Sequence, residues 1–295
     1  MMKRKLQGIF SLLLGTVIWG GAFVAQSAGM KRIGPFTFQA VRCALAVLAL
    51  VAFTALMEVK SITGWHKRWM DKKLWRTGLL CGIPLFIATA LQQVALVYTD
   101  NPGKAGFITA MYIVMVPLLG IFLKRKPSVP SLIGVAVAVG GMYLLCCAGV
   151  SAINIGDIML LGCALAFAVQ ITLVDKLAME LDSLRLNAIQ ALVVTVISAL
   201  FMFGVERPNT TDILSAWLPL SYAGVLSMGA GYSLQIIGQK RLEPTAASMI
   251  MSLESVFAVV FSALLLHKGL SLNESLGCVL VFGAVILSQL PDKKK

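Results

Sequence analysis

Apolar residues run along this chain in blocks of about twenty, separated by short polar or basic connections. Nearly charge-free stretches recur at about 7–28, 36–57, 74–97, 103–123, 130–149, 156–178, 184–204, 215–238, 244–266 and 272–290. A helix rises about 1.5 Å per residue, so each block matches the roughly 30 Å hydrocarbon core of a bilayer. The blocks are too long for strands and lack the alternation of a half-buried sheet. An open chain in lipid must satisfy its backbone groups within each segment, which a helix does. The pattern predicts an all-α integral membrane protein of ten transmembrane helices. Connections are short apart from a basic loop at 58–73, where Trp65 and Trp69 are expected at the membrane interface.

Composition strengthens that reading. Of 295 residues, 58% are hydrophobic and only 13% charged, against about 25% charged in a soluble domain. Ten spans consume the length and leave no room for a soluble catalytic domain. The net charge of +12 could suggest nucleic acid, but the basic residues sit in short clusters between apolar blocks. Lys3-Arg4-Lys5, Lys124-Arg125-Lys126 and the terminal lysines are such clusters, and they fit anchors beside anionic headgroups. Lys3-Arg4-Lys5 ahead of an apolar run also fits a signal peptide. The run from Leu6 to Gly29 is long for that, and a retained first helix is expected. The six cysteines fall inside apolar blocks without CxxC spacing, so small buried hydrophobes are expected rather than a disulfide or zinc framework. His66 in a loop and His267 at a helix end form no metal site, and no metal or cofactor is expected.

With the N-terminus inside, nineteen Lys and Arg fall on the cytoplasmic side. Five fall outside (Lys31, Arg32, Lys104, Arg207 and Lys268), and Arg42 lies within a span. That asymmetry places both termini in the cytoplasm.

The halves resemble each other. Leu13-Leu14-Gly15 corresponds to Leu160-Leu161-Gly162, and Phe38-Gln39-Ala40-Val41-Arg42 to Leu186-Asn187-Ala188-Ile189-Gln190. Leu91-Gln92 corresponds to Leu234-Gln235, and Gly134, Gly140 and Leu144 to Gly277, Gly283 and Leu287. Four matches in one order at nearly constant offset point to a duplication. Residues 1–149 form the first five-helix repeat and 150–295 the second. Five spans is an odd number, so the second repeat enters from the opposite side. Inverted repeats around a midplane site are the architecture of many secondary transporters.

These residues resemble the drug/metabolite transporter superfamily, specifically its EamA-type ten-helix permeases. Gly15-x3-Trp19-Gly20-x2-Phe23 is similar to that family's W-G-x-x-F signature. Arg42, the stretch Gly103-Lys104-Ala105-Gly106-Phe107-Ile108-Thr109 and Val116-Pro117 also resemble it, as do Leu234-Gln235, Pro244-Thr245-Ala246-Ala247 and Ser252-Leu253-Glu254. The chain departs from the pattern at Ser255, where the family usually has Pro, and at Arg125 and Lys268, where it often has Glu. The resemblance implies transport of amino acids or related polar or amphipathic metabolites, with export the expected direction. It also implies a cavity lined chiefly by spans 1, 3, 4, 6, 8 and 9.

Candidate chemistry begins with Glu254, the acidic side chain deepest in a span. An intramembrane charge costs about 2.5–3.5 kcal/mol and persists where something offsets it. A carboxyl there either carries a proton in a coupled cycle or ties helices together. Arg42 shares a helical face with Gln39 in the outer third of span 2. It either attracts an anionic group or a carboxylate inward, or snorkels to the outer headgroups. Gly15, Trp19, Ala22 and Gln26 form one stripe on span 1, fitting a cavity wall or a tight helix contact. The resemblance favours the cavity for Trp19. Thr109 and Tyr112 share a face of span 4, above a kink expected at Pro117. Gln92, Gln170, Tyr232 and Gln235 complete the cavity candidates, although each taken singly reads as interhelical glue before ligand. The glycine pairs of spans 5 and 10 are expected to permit close helix approach.

The expected function is a secondary active or facilitative transporter working by alternating access, as a monomer or homodimer in a bacterial cytoplasmic membrane. The expected partners are a small-molecule substrate and the lipid bilayer, without nucleic acid, and the energy source is either a proton gradient or the substrate gradient itself. No Walker-type phosphate loop is present to couple ATP. A membrane enzyme on lipid-linked substrates is the rival from another class. It needs clustered acids, bases and nucleophiles, whereas the acids here are scattered. A non-transporting scaffold is a third reading.

Overall fold

The computed structural model describes residues 2–58, 62–98, 102–124, 127–146, 154–265 and 270–289. Lys60, Arg125, Lys126, Cys147, His267, Lys268 and residues 293–295 lie outside them. Among the described residues every regular element is helical and none is a strand. In chain order these are α1 (Met2–Gly29), α2 (Pro35–Met57), α3 (Ile62–Trp69), α4 (Lys72–Ala95), α5 (Pro102–Thr109), α6 (Tyr112–Phe122), α7 (Val129–Cys146), α8 (Ile155–Leu177) and α9 (Ser183–Phe201). A π-helical turn, Met202–Glu206, prolongs α9. Then come α10 (Thr210–Ser215), α11 (Trp217–Ser221), a π-helical stretch Tyr222–Gly231, α12 (Tyr232–Gln239), α13 (Pro244–Met251), α14 (Leu253–Leu265) and α15 (Leu272–Ser288).

Among the described residues seven helical runs are long and apolar enough to cross a membrane: Lys3–Gly29, Pro35–Met57, Lys72–Ala95, Lys104–Phe122, Ile155–Leu177, Ser183–Glu206 and Pro244–Phe261. Val129–Leu144 and Leu272–Ser288 are apolar but shorter. Large apolar side chains such as Leu48, Phe122, Leu272 and Ile286 point outward from the bundle, as lipid contact requires. The interior is rich in alanine, with Ala46, Ala88, Ala138, Ala168, Ala191 and Ala284 fully buried. Small residues let helix backbones approach closely.

Packing follows a regular scheme. α1 lies against α14, α12 and the π stretch, and α8 lies against α6 and α4. α2 packs on α9 and the π stretch, α9 on α2 and α4, and α7 on α15. At the α7–α15 contact a side chain at Gly141 would meet Leu280 Cβ at 2.8 Å and Gly277 O at 3.1 Å. Gly140 and Gly283 face open space instead, so only part of the glycine expectation holds there.

Three spans depart from simple helices. The block expected as one helix at 103–123 is interrupted at Ala110 and Met111 between α5 and α6. The main chain there tightens to three-residue steps, with Met111 N donating to Ile108 O (3.1 Å) and Ile113 N to Ala110 O (3.0 Å). Pro117 lies inside α6; a proline ring crowds the carbonyl four residues earlier, here Ile113, so the distortion appears one turn before it. The block expected at 244–266 is interrupted at Ser252. Ser248, Ser252 and Ser255 each donate Oγ to the carbonyl three residues back, at 2.8, 2.7 and 2.8 Å. Such back-bonding competes with the helix ladder and bends it. The third departure is the π stretch, whose wider turns offset carbonyls from their usual donors.

The loop expected at 58–73 contains α3. Trp65 Nε1 donates to Thr54 Oγ1 at 3.3 Å, and the Trp69 ring lies 5.7 Å below the Arg185 guanidinium. Both tryptophans are therefore engaged with the bundle.

Candidate functional site

α1 carries Trp19, Ala22, Phe23 and Gln26 at helical spacing, and all four line one cleft at the centre of the bundle. Arg42 of α2, Gln92 of α4 and Tyr112 at the start of α6 complete the contribution of the first half. The second half supplies Phe167 and Ile171 of α8, Ser227 and Met228 of the π stretch, and Tyr232 and Gln235 of α12. Met251 and Glu254 flank the break at Ser252. The cleft holds about 560 Å³ of open space, its mouth included.

The two halves meet chemically at Tyr112 and Glu254. Tyr112 Oη donates to Glu254 Oε1 at 3.1 Å, and both side chains are buried. The residues flank the two helix breaks, so the interruptions deliver a phenol and a carboxyl to one point. Interrupted helices near mid-depth commonly mark substrate and ion sites in transporters. The Tyr112 ring also meets Phe167 edge-on at 6.3 Å.

Trp19 stands on the opposite wall, its Nε1 donating to Ser227 O at 3.3 Å. That carbonyl belongs to the π stretch, which also offers Met228 O and Gly229 O to Asn187 Nδ2, both at 2.9 Å. Side chains from α1 and α9 thus satisfy acceptors in the π-helical segment. The Trp19 ring lies 5.1 Å from that of Tyr232. A Cβ at position 231 would stand 2.6 Å from Trp19 Nε1, so Gly231 makes room for the indole. On the other face of α1, a Cβ at position 20 would meet Phe257 Cβ at 2.4 Å. The Trp-Gly pair thus sends one residue to the cleft and seats α1 on α14 with the other.

Arg42 is 4% exposed. It donates Nη1 to Gln26 Oε1 at 3.0 Å and lies 5.7 Å over the Phe38 ring. The snorkelling alternative is therefore set aside: the guanidinium turns inward to the cleft wall.

Two expected residues lie off the wall. Thr109 is buried one turn before Tyr112 and does not line the cleft. Gln170 sits behind it, donating to Gln190 Oε1 and accepting from Gln235 Nε2, both at 3.0 Å. Gln239 extends the chain of amides to Ile171 O. Gln170 is interhelical glue, and only Gln235 in that chain reaches the cleft. Phe23 was readable from its place beside Trp19 and Ala22 on the α1 stripe. Ser227, Met228 and Met251 carry no such signal, because their placement depends on irregular backbone. Among the described residues no group of three or more His, Cys, Asp or Glu could hold a metal ion. Cys43, Cys81, Cys163 and Cys278 are free thiols.

A helical bundle with an apolar exterior and a cleft of mixed polar and aromatic lining fits a multi-pass membrane protein. The chain belongs to the EamA-like transporter family, whose pattern matches it twice, over residues 6–147 and 154–290. It is therefore a membrane transporter of the drug/metabolite superfamily rather than an enzyme. An uncharacterized transporter of Archaeoglobus fulgidus is 30% identical, covering 97% of this chain and 87% of its own. The uncharacterized transporter YoaV of Bacillus subtilis is 23% identical, covering 97% of each. A crystal structure with 18% sequence identity superposes with a TM-score of 0.80 across 100% of this chain and 99% of the other. That likeness concerns the fold alone.

Proposed function

We propose that this protein is a ten-span secondary transporter of small polar or amphipathic metabolites, with residues 1–149 and 150–295 as inverted repeats that rock about the cleft. Three spans add to the seven long apolar runs: Val129–Leu144, Leu272–Ser288 and the uninterrupted helical run from Trp217 to Gln239. The packing scheme supports the repeat. Exchanging α1 with α8, α2 with α9, α4 with the π stretch and α12, α6 with α14, and α7 with α15 leaves the principal contacts unchanged. The Lys and Arg distribution supports cytoplasmic termini. The setting is a bacterial cytoplasmic membrane, the direction is export, and the chain acts as a monomer or homodimer.

The observation that carries the reading is the cleft lined by both halves, which the Tyr112–Glu254 hydrogen bond joins on its wall. Trp19, Tyr232, Gln92 and Gln235 form its walls, Gln26 and Arg42 stand together on α1 and α2, and Glu254 is placed to exchange a proton. Proteoliposome flux of a metabolite panel tests this. Flux that falls in Trp19→Ala and Glu254→Gln supports the site, whereas flux surviving both removes it. Proton coupling is tested separately, and substrate flux indifferent to an imposed pH gradient would falsify it.

A further inference from the structure

We infer that Arg42 and Gln26 form a carboxylate subsite, so that this transporter recognises small organic acids bearing an apolar body. The inference rests on the transport reading of the same cleft. A guanidinium keeps its proton in proteins, and a buried charge is costly unless it is compensated. Arg42 is nevertheless buried, and among the described residues no carboxylate lies within ion-pair distance of it. The side chains that meet it are neutral, the Gln26 amide and the Cys43 thiol, and its Nε has no acceptor at all. Elsewhere in the bundle, by contrast, the buried guanidinium of Arg185 is met by Glu58 at 2.8 Å. Arg42 therefore stands as a cation without a paired carboxylate, met by the Gln26 amide and the Phe38 ring, on the wall of a cleft that also holds Glu254.

The missing counter-charge is what a ligand would supply. The planar fork of an arginine matches a carboxylate through two parallel hydrogen bonds. Gln26 Nε2 donates to Ala22 O, which fixes the amide so that its oxygen faces the arginine. Alongside Glu254 and its glutamines, the cleft presents aromatic and apolar side chains at Trp19, Phe23, Phe167, Met228 and Tyr232. A carboxylate on an aryl or alkyl body fits that surface, with the charge at Arg42.

The test uses matched pairs of carboxylates and their primary amides on the purified full-length protein. The probes are acetate, 3-phenylpropionate and indole-3-propionate with the corresponding amides, and the readout is ligand-induced thermal stabilisation. At least one acid is expected to stabilise at concentrations about tenfold below those its amide requires. Arg42→Gln is expected to abolish that selectivity, and Arg42→Lys, which keeps the charge but loses the fork, to weaken acid binding about tenfold. Absence of acid-over-amide selectivity, or its survival in Arg42→Gln, overturns the subsite. If Arg42→Gln does not fold, undiminished acid binding in Arg42→Lys overturns it instead. Proteoliposome flux of the amides in the same variants separates the two readings. Amide flux without acid selectivity removes the subsite and leaves transport standing, whereas no flux of either member removes transport.

Discussion

Glu206 follows Glu58 by 148 positions (58 to 206), and each carboxylate reaches the first turn of the other one's helix. Glu206, at the end of α9, accepts from Phe36 N at 2.8 Å and from Thr37 N and Oγ1 at 2.7 Å. Glu58, at the end of α2, accepts from Arg185 Nη2 at 2.8 Å. Thr37 and Arg185 are separated by the same interval (37 to 185). The two contacts lie at opposite ends of the α2–α9 pair, the arrangement that the proposed inverted repeat calls for.

The first contact sets a stability prediction. α2 has Gly34 as its N-cap and no side-chain cap of its own, so Glu206 supplies acceptors to donors that a helix start leaves unpaired. Glu206→Ala is expected to cost about 1–2 kcal/mol, and Glu206→Gln less, because an acceptor remains. Denaturation of the purified protein in detergent measures both, and a neutral Glu206→Ala would refute the capping role.

Removal of Arg185 should cost more. Its side chain is 2% exposed, whereas Arg68, which also contacts Glu58, is 55% exposed. Breaking a buried pair costs about 3–5 kcal/mol. Arg68 still partly neutralises Glu58, so Arg185→Ala is expected at the low end, about 3 kcal/mol. Arg68→Ala is expected below about 1 kcal/mol. Equal losses in the two variants would contradict this ordering.

Tyr112 and Glu254 should behave as a coupled unit. A double-mutant cycle of Tyr112→Phe and Glu254→Gln, read by thermal stability, is expected to show a coupling of about 1 kcal/mol. Strict additivity would mean that the hydrogen bond contributes nothing to the folded state.

Gly231→Ala is predicted to push the indole of Trp19 off Ser227 O, since the added methyl would lie 2.6 Å from Nε1. An overpacked contact of this kind costs about 1–3 kcal/mol, and flux should fall as in Trp19→Ala. Normal stability together with normal flux would show that the wall yields without consequence.

At position 255 the chain carries Ser where the family usually has Pro, and the break at Ser252 makes the exchange inexpensive. Ser255 lies in the first turn of α14, where proline is tolerated, so only the short bond from Ser255 N to Ser252 O at 3.1 Å would be lost. Ser255→Pro is therefore expected to cost well under the ~3 kcal/mol of a proline in a regular helix. A loss of the folded species on size-exclusion chromatography would refute that.

The ease of reading this fold from its sequence varied with the regularity of the backbone. The apolar blocks announce their helices because lipid imposes one length and one composition on every crossing. Trp19, Ala22 and Gln26 are legible because α1 is one uninterrupted α-helix and its stripe holds one face. The breaks at Ala110–Met111 and Ser252 were hidden, because serine back-bonding and a proline displaced by a turn leave the apolar pattern intact. Gln170 and Gln235 look alike in sequence, as amides in the middle of a span. Only packing separates them, giving one to the interhelical network and the other to the cleft. Arg42 was ambiguous because its depth allowed either direction, and Gln26 on the neighbouring helix supplies the inward partner.

The π stretch has a mechanical consequence. A π turn holds a surplus residue relative to an α-helix, and each residue of an α-helix spans about 100° of rotation. Returning Tyr222–Gly231 to regular winding would withdraw the carbonyls that hold Trp19 and Asn187, and would swivel Tyr232 and Gln235 relative to the preceding segment. The register of one cleft wall is thus tied to the winding of this segment, whose carbonyls are met by side chains from two neighbouring helices.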